Sequence, residues 1–230
     1  MINIENHEKQ SLSVLLGKSL GNEIIDFTED TVDTLIENET IKNIPIARAI
    51  IGFIRLGIAI HEKNLLKQTL EFINEFNAGN IDKDKLNEYK EEIKSNPKKA
   101  EKELGRCLII LNSTIEPIHS RMLGNLFKSY VNRSINWDEF VELSDAVHRV
   151  FIRDIQHLRK IYEQNAELIE VSEEEAYCNF RLQSLGFLTS LTGIYPRDVK
   201  PGIDPNIFVL SEFGKKFIKY TGILDINKVI

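Results

Sequence analysis

The chain has 230 residues, of which 42% are hydrophobic and 28% are charged, and its net charge is −6. This length fits one domain, or one main domain with a small appendage, and this composition excludes an intrinsically disordered chain. A sequence pI near 5.5 excludes a generally basic nucleic-acid coat protein. Residues 1–42 hold nine acidic and three basic residues, so they account for the whole net charge, and residues 43–230 are neutral.

The cysteines, the N-terminal residues and the most apolar stretch bear on the cellular location of the protein. Cys107 and Cys178 are far apart and form no CxxC pattern, which excludes a zinc knuckle and argues against a disulfide framework. Residues 1–10 are polar and acidic and do not resemble a secretory signal. The most apolar stretch, residues 44–60, contains Arg48 and Arg55, and each would cost roughly 2.5–3.5 kcal/mol at the centre of a membrane. We therefore expect a soluble, cytoplasmic protein without stable membrane insertion.

Apolar residues at three- and four-residue spacing predict helices along most of the chain. The first is an amphipathic helix over residues 24–36, and its polar positions are largely acidic. The second begins at Pro45 and continues to Phe76, which is longer than a typical globular helix. A turn over residues 77–80 is expected to end it.

Start signals mark the next three helices. Asp82 is expected to cap a polar helix, and Asn96-Pro97 combines an N-cap residue with proline at the first helical position. Pro117 begins a helix whose apolar residues repeat at three and four positions as far as Tyr130. These signals predict a multi-helix bundle.

A long helix is predicted to begin at the capping box of Asn136 and Glu139 and to run without a break to about residue 168. Its two Asp-x-x-His pairs are spaced nine residues apart, so at about 100° per residue they lie on opposite faces and cannot hold one metal ion together. Hydrogen bonding within the helix is favoured, and the alternative is a metal bound by one pair with Glu116 and His119. The pairs are Asp145 with His148, and Asp154 with His157.

The last third of the chain is richer in glycine and proline than the helical part before it. Ser172 and Glu175 predict the start of a helix, and Gly186 is expected to end it in the left-handed conformation. An apolar turn, a loop rich in glycine and proline, and a short strand over residues 207–210 are expected to follow.

Ser211 is expected to cap a final helix that ends at Gly222. This order of elements predicts a winged-helix-like module. The predicted fold is mainly α, with a helical domain over residues 1–168 and the winged-helix-like module over residues 169–230.

No catalytic or cofactor motif has the spacing that its chemistry needs. Gly17-Lys18-Ser19 resembles the end of a P-loop, but Leu12 stands where the first glycine is required. The calcium-loop pattern that begins at Asp82 also lacks its glycine and its final glutamate. We therefore predict a protein that is not an enzyme, with no catalytic residue, no cofactor site, no metal site and no small-molecule partner.

Two basic groups are candidates for contact with phosphate or with a partner, one within residues 94–106 and one within residues 149–160. A solvated face that pairs with nearby glutamates is the favoured interpretation. In a winged helix, the helix over residues 172–185 would be the recognition helix, but Glu173, Glu174 and Glu175 in its first turn would repel DNA. The predicted nucleic-acid or partner contact residues are Arg149, Arg153, Arg197, Lys200, Lys215, Lys216 and Lys219.

Several segments together resemble an uncharacterised family of helical proteins from low-GC bacteria and their prophages, over about four fifths of the chain. The segments are Ile44-Pro45-Ile46, residues 66–74, LGNLFKSYVN from Leu123, INWDEF from Ile135 and LSEFGKKFI from Leu210. More distantly, the chain is similar to the abortive-infection alpha family, which combines a helical body with a winged-helix-like end. The resemblance implies a role in phage defence or mobile-element biology, and it carries no catalytic residues.

We therefore expect a non-enzymatic helical protein that acts through a protein partner or as a homo-oligomer in a phage-related setting. The alternatives are a DNA-binding regulator that uses the C-terminal module, a membrane-acting effector that releases the apolar helix around Gly52 and Gly57, and a hydrolase built on His119, His148 and Asp145. The acidic segment, residues 23–39, is expected to dock against one of the two basic groups, in the same chain or in a second copy.

Overall fold

The structure, a computed structural model, describes residues 62–78, 81–164, 169, 175–191 and 207–225. This part of the chain is mainly helical, with eight helices and a two-stranded sheet. The acidic segment, the apolar stretch of residues 44–60 and most of the loop rich in glycine and proline lie outside it.

The chain divides into two compact units, residues 1–134 and residues 135–230. The predicted boundary at residue 168 falls inside the second unit. Among the described residues, no helix is long and apolar enough to cross a membrane.

Four helices form the described part of the first unit: α1 (Glu62–Asn77), α2 (Lys83–Ser95), α3 (Pro97–Ser113) and α4 (Pro117–Val131). The predicted start signals are confirmed. Asp82 accepts hydrogen bonds from two backbone N–H groups in the first turn of α2, and Asn96 accepts one from Lys99 in α3. Pro97 and Pro117 each lie in the first turn of their helix.

Helices α1 and α4 pack side by side and run in the same direction. Near their N-terminal ends, the Ser120 hydroxyl donates to the side-chain oxygen of Gln68 at 2.6 Å. Further along, the Asn125 amide donates to the Glu75 carboxylate at 2.9 Å. The partners are therefore about 50 residues apart all along the helix pair.

Gly124 allows the close approach of α1 and α4. A Cβ atom at this position would lie 2.7 Å from the carbonyl oxygen of Phe72 and 3.2 Å from the Cβ of Glu75. A side chain would therefore push the two backbones apart.

A cluster of aromatic rings fills the core of this unit, and Phe127 lies at its centre. Its ring centroid is 5.7 Å from those of Phe72 and Phe76, 5.6 Å from that of Tyr89 and 6.2 Å from that of Tyr130. All five side chains are buried. The cluster joins α1, α2 and α4.

The second unit contains α5 (Trp137–Arg149), α6 (Ile152–Gln164), α7 (Ala176–Ser184), β1 (Leu188–Ser190), β2 (Phe208–Leu210) and α8 (Glu212–Thr221). The capping box of Asn136 and Glu139 is confirmed at the start of α5. The prediction of one long helix from residue 136 to about 168 is wrong, because Val150 is extended, with φ −76° and ψ 136°. The break buries Val150 and leaves the ring of Phe151 62% exposed.

The sheet is small and antiparallel, with Leu188 opposite Leu210 and Ser190 opposite Phe208. Ile169 forms a further antiparallel bridge with Phe208. The predicted strand over residues 207–210 is therefore found as β2, whereas β1 replaces the predicted apolar turn.

The ends of α7 and α8 test the predicted capping signals. Helix α7 is described from Ala176, with Glu175 at its N-cap position, and the predicted start at Ser172 lies outside the described residues. Gly186 and Gly222 have the predicted left-handed conformation, with φ of 81° and 69°. The Ser211 hydroxyl caps α8, as predicted.

Candidate functional site

An ion pair between a buried carboxylate and a half-buried guanidinium joins α6 to α7. The carboxylate of Asp154 is completely buried, and the Arg181 guanidinium donates to both of its oxygens, from Nε at 2.8 Å and from Nη2. The hydrogen bond to Asp154 raises the pKa of Arg181. Because a bidentate pair has a fixed geometry, Asp154 sets the position of the guanidinium.

Arginine and aromatic side chains stack above this ion pair. The Arg181 guanidinium lies 4.7 Å from the ring centroid of Tyr177 and 5.1 Å from that of Phe151. The Arg153 guanidinium lies 4.8 Å from the Tyr177 centroid. These distances are within the range of cation–π attraction, so the rings and the guanidinium groups hold one another in place.

The rings of this group are unusually exposed for their size. Phe151 is 62% exposed, Phe180 is 47% exposed and Tyr177 is 39% exposed. Tyr177, Phe180 and Arg181 share one face of α7, since residues three and four positions apart are neighbours on a helix. We call Phe151, Arg153, Tyr177, Phe180 and Arg181 the aromatic–arginine surface.

The sheet supports one edge of the aromatic–arginine surface. The ring of Phe180 packs edge-on against the buried ring of Phe208 in β2, with centroids 5.7 Å apart. Phe180 is therefore held on one side and exposed on the other.

The charges around the aromatic–arginine surface are nearly all paired. Apart from Arg153, each lysine or arginine of α5, α6 and α7 forms an ion pair: Arg149 with Asp145, Arg159 with Glu163, Lys160 with Glu175, and Arg181 with Asp154. Arg153 contacts a ring, and the described residues place no carboxylate within ion-pair distance of it. One positive charge thus remains without a carboxylate partner in this part of the chain.

A second polar contact lies at the same helix interface. The buried His157 ring is 2.8 Å from the side-chain oxygen of Asn179 through Nε2, and its Nδ1 is 3.7 Å from the carboxylate of Glu175. The amide nitrogen of Asn179 has no hydrogen-bond partner among the described residues. Asp154 and His157 therefore contact different residues of α7.

The two Asp-x-x-His pairs lie on separate helices, so the prediction that they occupy opposite faces of one helix no longer applies. Asp145 and His148 are exposed on α5, and Asp145 pairs with Arg149 at 3.6 Å. No group of three side chains suited to a metal ion occurs within the described ranges.

The C-terminal contact candidates on α8 are engaged locally. Lys215 pairs with Glu212 at 2.7 Å, and Lys219 lies 5.0 Å from the Tyr220 ring. Lys216 pairs with Glu139 of α5 at 2.6 Å, which lowers the pKa of the carboxyl and raises that of the amine. The remaining candidates, Arg197 and Lys200, lie outside the described residues.

In the first unit, part of the basic group of residues 94–106 stabilises the fold. Lys99 pairs with Glu92 and lies 3.9 Å from the buried carboxylate of Glu103. That carboxylate accepts hydrogen bonds from the Tyr89 hydroxyl at 3.0 Å and from the Tyr130 hydroxyl at 2.8 Å. Burial, together with Glu103, raises the pKa of both tyrosines.

Sequence reasoning identified Arg153 as a contact residue but missed the aromatic members of the surface. The spacing of Tyr177, Phe180 and Arg181, opposite the buried Cys178 and Leu182, was a usable signal. Phe151 gave no such signal, because its spacing continues the apolar repeat of the neighbouring helices.

Comparisons with known proteins leave the family open. No protein-family model matches the chain, and neither a curated protein nor a solved structure matches it. The candidate site therefore stands on its own geometry.

Proposed function

We propose that this chain is a non-enzymatic interaction protein that binds a protein partner through the aromatic–arginine surface. The observation that carries the proposal is a group of three exposed aromatic rings, two of which, those of Phe151 and Tyr177, lie next to guanidinium groups. Tyrosine, phenylalanine and arginine are enriched in protein interfaces, and tyrosine and arginine are common among the residues that dominate binding energy.

The rigidity of the aromatic–arginine surface supports the proposal. Arg181 is fixed by the buried carboxylate of Asp154, and Phe180 is held by Phe208. Side chains that are ordered before binding lose less conformational entropy when a partner arrives, so more of the contact energy appears as affinity.

A partner-capture experiment tests this proposal. The full-length protein, Phe151→Ala and the control Ile109→Ala are each used to capture partners from host cells, and light scattering measures self-association. Ile109 is 72% exposed on α3, in the other unit. We expect Phe151→Ala to lose a partner, or a dimer, that the wild type and Ile109→Ala retain. Identical partners and masses for all three proteins would contradict the proposal.

The phage-defence or mobile-element setting is part of the proposal and is supported by the sequence resemblance. Infection of strains with the wild-type gene, a deletion or the Phe151→Ala gene tests it. We expect the deletion and the variant to change phage yield in the same direction. An unchanged yield in the deletion strain would reject this setting.

DNA binding by a winged-helix-like module is the second proposal, and the arrangement of strands favours it. Helix α7 is followed by two antiparallel strands joined by a long connection, which is the order of a recognition helix and a wing. The pairing of Lys215 and Lys216 with carboxylates makes this proposal the weaker one.

Binding of mixed-sequence DNA at low salt tests the second proposal, since phosphate contacts are strongest there. The variant Lys215→Glu with Lys219→Glu should abolish binding, and it leaves Lys216 in place to hold Glu139. Absence of binding by the wild-type protein at low ionic strength would reject it.

A further inference from the structure

The partner's chemistry follows from the charges of the aromatic–arginine surface. We infer that this surface binds a segment of a partner protein in which one acidic residue lies between apolar or aromatic residues. The inference rests on the proposed function and names the class of partner for the same surface.

Arg153 provides the charge argument. It is exposed, it lies over the Tyr177 ring, and it has no carboxylate within ion-pair distance among the described residues. The other four arginine and lysine side chains of α5, α6 and α7 are each paired with a carboxylate. Within the described residues, the surface therefore offers one positive charge without a carboxylate partner, which matches one carboxylate of a bound segment.

The geometry of Arg153 suits that carboxylate. A guanidinium that lies over a ring keeps its N–H groups in its own plane, where they can form a two-point contact with a carboxylate. Arg181 is less suited to this role, because its positive charge is already paired with Asp154, to which two of its five N–H groups donate. Arg181 instead holds the rings of Phe151 and Tyr177 in position.

The rings define the rest of the segment. Phe151 and Phe180 are 62% and 47% exposed and offer apolar area beside the charge. A partner that covers them needs apolar or aromatic side chains next to its acidic residue.

A single-stranded nucleic acid fits this surface less well. Bases stack on aromatic rings, but the strand also carries one phosphate per nucleotide and needs a groove of positive charge. In the described part of this surface, one arginine has no carboxylate partner, and the N-cap residue of α7 is Glu175. The observations therefore favour a protein segment.

Peptide selection on the full-length protein tests the inference. A display library of short random peptides is selected on the wild-type protein, and the enriched peptides are synthesised. We expect a shared pattern of one aspartate or glutamate flanked by leucine, isoleucine or aromatic residues. For such a peptide, replacing its acidic residue by the corresponding amide should weaken binding about tenfold.

Variants of the protein show which residue meets the acidic side chain. Arg153→Glu should abolish binding of the selected peptide, and a peptide with lysine in place of its acidic residue should bind this variant better than the wild type. Arg149→Glu is the matched control, because Arg149 is also exposed but already pairs with Asp145. Circular dichroism checks that each variant is folded.

The outcomes separate the inference from the proposed function. Peptides that lose binding with Phe151→Ala but share no acidic residue, and that tolerate Arg153→Glu, would overturn the inference and leave the surface as the contact site. Peptides that tolerate both Phe151→Ala and Phe180→Ala would overturn the proposed site as well. Failure to enrich any peptide overturns the inference, as does low-salt binding of oligo(dT) that Phe151→Ala abolishes.

Discussion

Asp154 has no solvent exposure, and both of its carboxylate oxygens are held by the guanidinium of Arg181. A buried carboxylate that loses its partner keeps its desolvation cost and loses the compensating attraction. We therefore expect Arg181→Ala to lower the free energy of unfolding by about 3–5 kcal/mol. Urea denaturation followed by circular dichroism measures this change.

The second variant in this test removes the orphaned charge. Adding Asp154→Asn to Arg181→Ala should recover part of the lost stability, since an amide costs less to bury than a carboxylate. As a control, Arg159→Ala breaks a more exposed pair with Glu163 and should cost no more than about 1 kcal/mol. Equal losses for Arg181→Ala and Arg159→Ala would contradict the structural role of Asp154.

Two helical glycines in the described part of the first unit, Gly105 and Gly124, should respond in opposite ways to alanine. A Cβ at Gly124 would lie 2.7 Å from the Phe72 carbonyl oxygen, whereas a Cβ at Gly105 meets nothing within 4 Å. Gly124→Ala should therefore destabilise the protein by about 1–3 kcal/mol through overpacking. Gly105→Ala should stabilise it by about 0.5–1 kcal/mol, because alanine favours the helix. Thermal unfolding of both variants checks the contrast, and a Gly124→Ala variant that is at least as stable as the wild type would refute the close approach.

Alkaline pH should destabilise the first unit through Tyr89 and Tyr130. Their pKa values are raised above the ordinary value of about 10, so the folded state keeps protons that the unfolded state releases. This contribution to stability is fully present below pH 10 and is lost as the pH rises further. Each tyrosine should contribute a slope of about −1.4 kcal/mol per pH unit above its ordinary pKa.

Absorbance titration of the tyrosinates, together with urea denaturation above pH 10, measures this effect. Tyr89 and Tyr130 should resist ionisation until the protein unfolds. Tyr130→Phe removes one of the two hydroxyls and should reduce the alkaline slope. Ionisation of all six tyrosines of the chain near pH 10 in the folded protein would show that the contacts with Glu103 are absent.

The capping box of α5 offers a test of local stability. The Asn136 side chain accepts a hydrogen bond from the Glu139 backbone N–H at 2.9 Å. The Glu139 carboxylate in turn accepts one from the Asn136 backbone N–H. Asn136→Ala should cost about 1 kcal/mol. Glu116, the N-cap residue of α4, makes no capping hydrogen bond, so Glu116→Ala is the matched control and should change stability little. Equal losses in urea denaturation would argue against the capping box.

Much of the helical layout of the described residues was predictable, because local chemistry marks the ends of the helices. Asp82, Asn96, Asn136 and Ser211 each satisfy backbone N–H groups within the next turn, so a short stretch of sequence carries the signal. The end of α7 at Gly186 has the same local origin.

The break at Val150 and the strand β1 depend on distant residues. No proline or glycine marks the break, and the apolar spacing of Val147, Phe151 and Ile155 runs straight across it. β1 is three residues long, and its ladder partners lie about 20 residues away in β2. Periodicity cannot distinguish one continuous helix from two consecutive helices when the four-residue spacing of apolar residues continues across the break between them.

The aromatic–arginine surface was only partly predictable, because one of its aromatic residues lies at the break between α5 and α6. A face of α7 with Tyr177, Phe180 and Arg181 can be read from spacing alone. The position of Phe151 cannot, because it depends on the break that precedes α6. A ring that the sequence assigns to the core is therefore part of the proposed contact site.

The parallel packing of α1 and α4 has a consequence for how the first unit folds. Two helices that point the same way cannot form a local hairpin, so α2 and α3 must carry the chain back along their length. The contact at Gly124 joins residues about 50 positions apart, and closing a loop of that size costs entropy before any contact is gained. Low-contact-order bundles connect neighbouring antiparallel helices and fold quickly. This unit should instead fold more slowly than an up-and-down bundle of equal size, with formation of the α1–α4 contact as its limiting step.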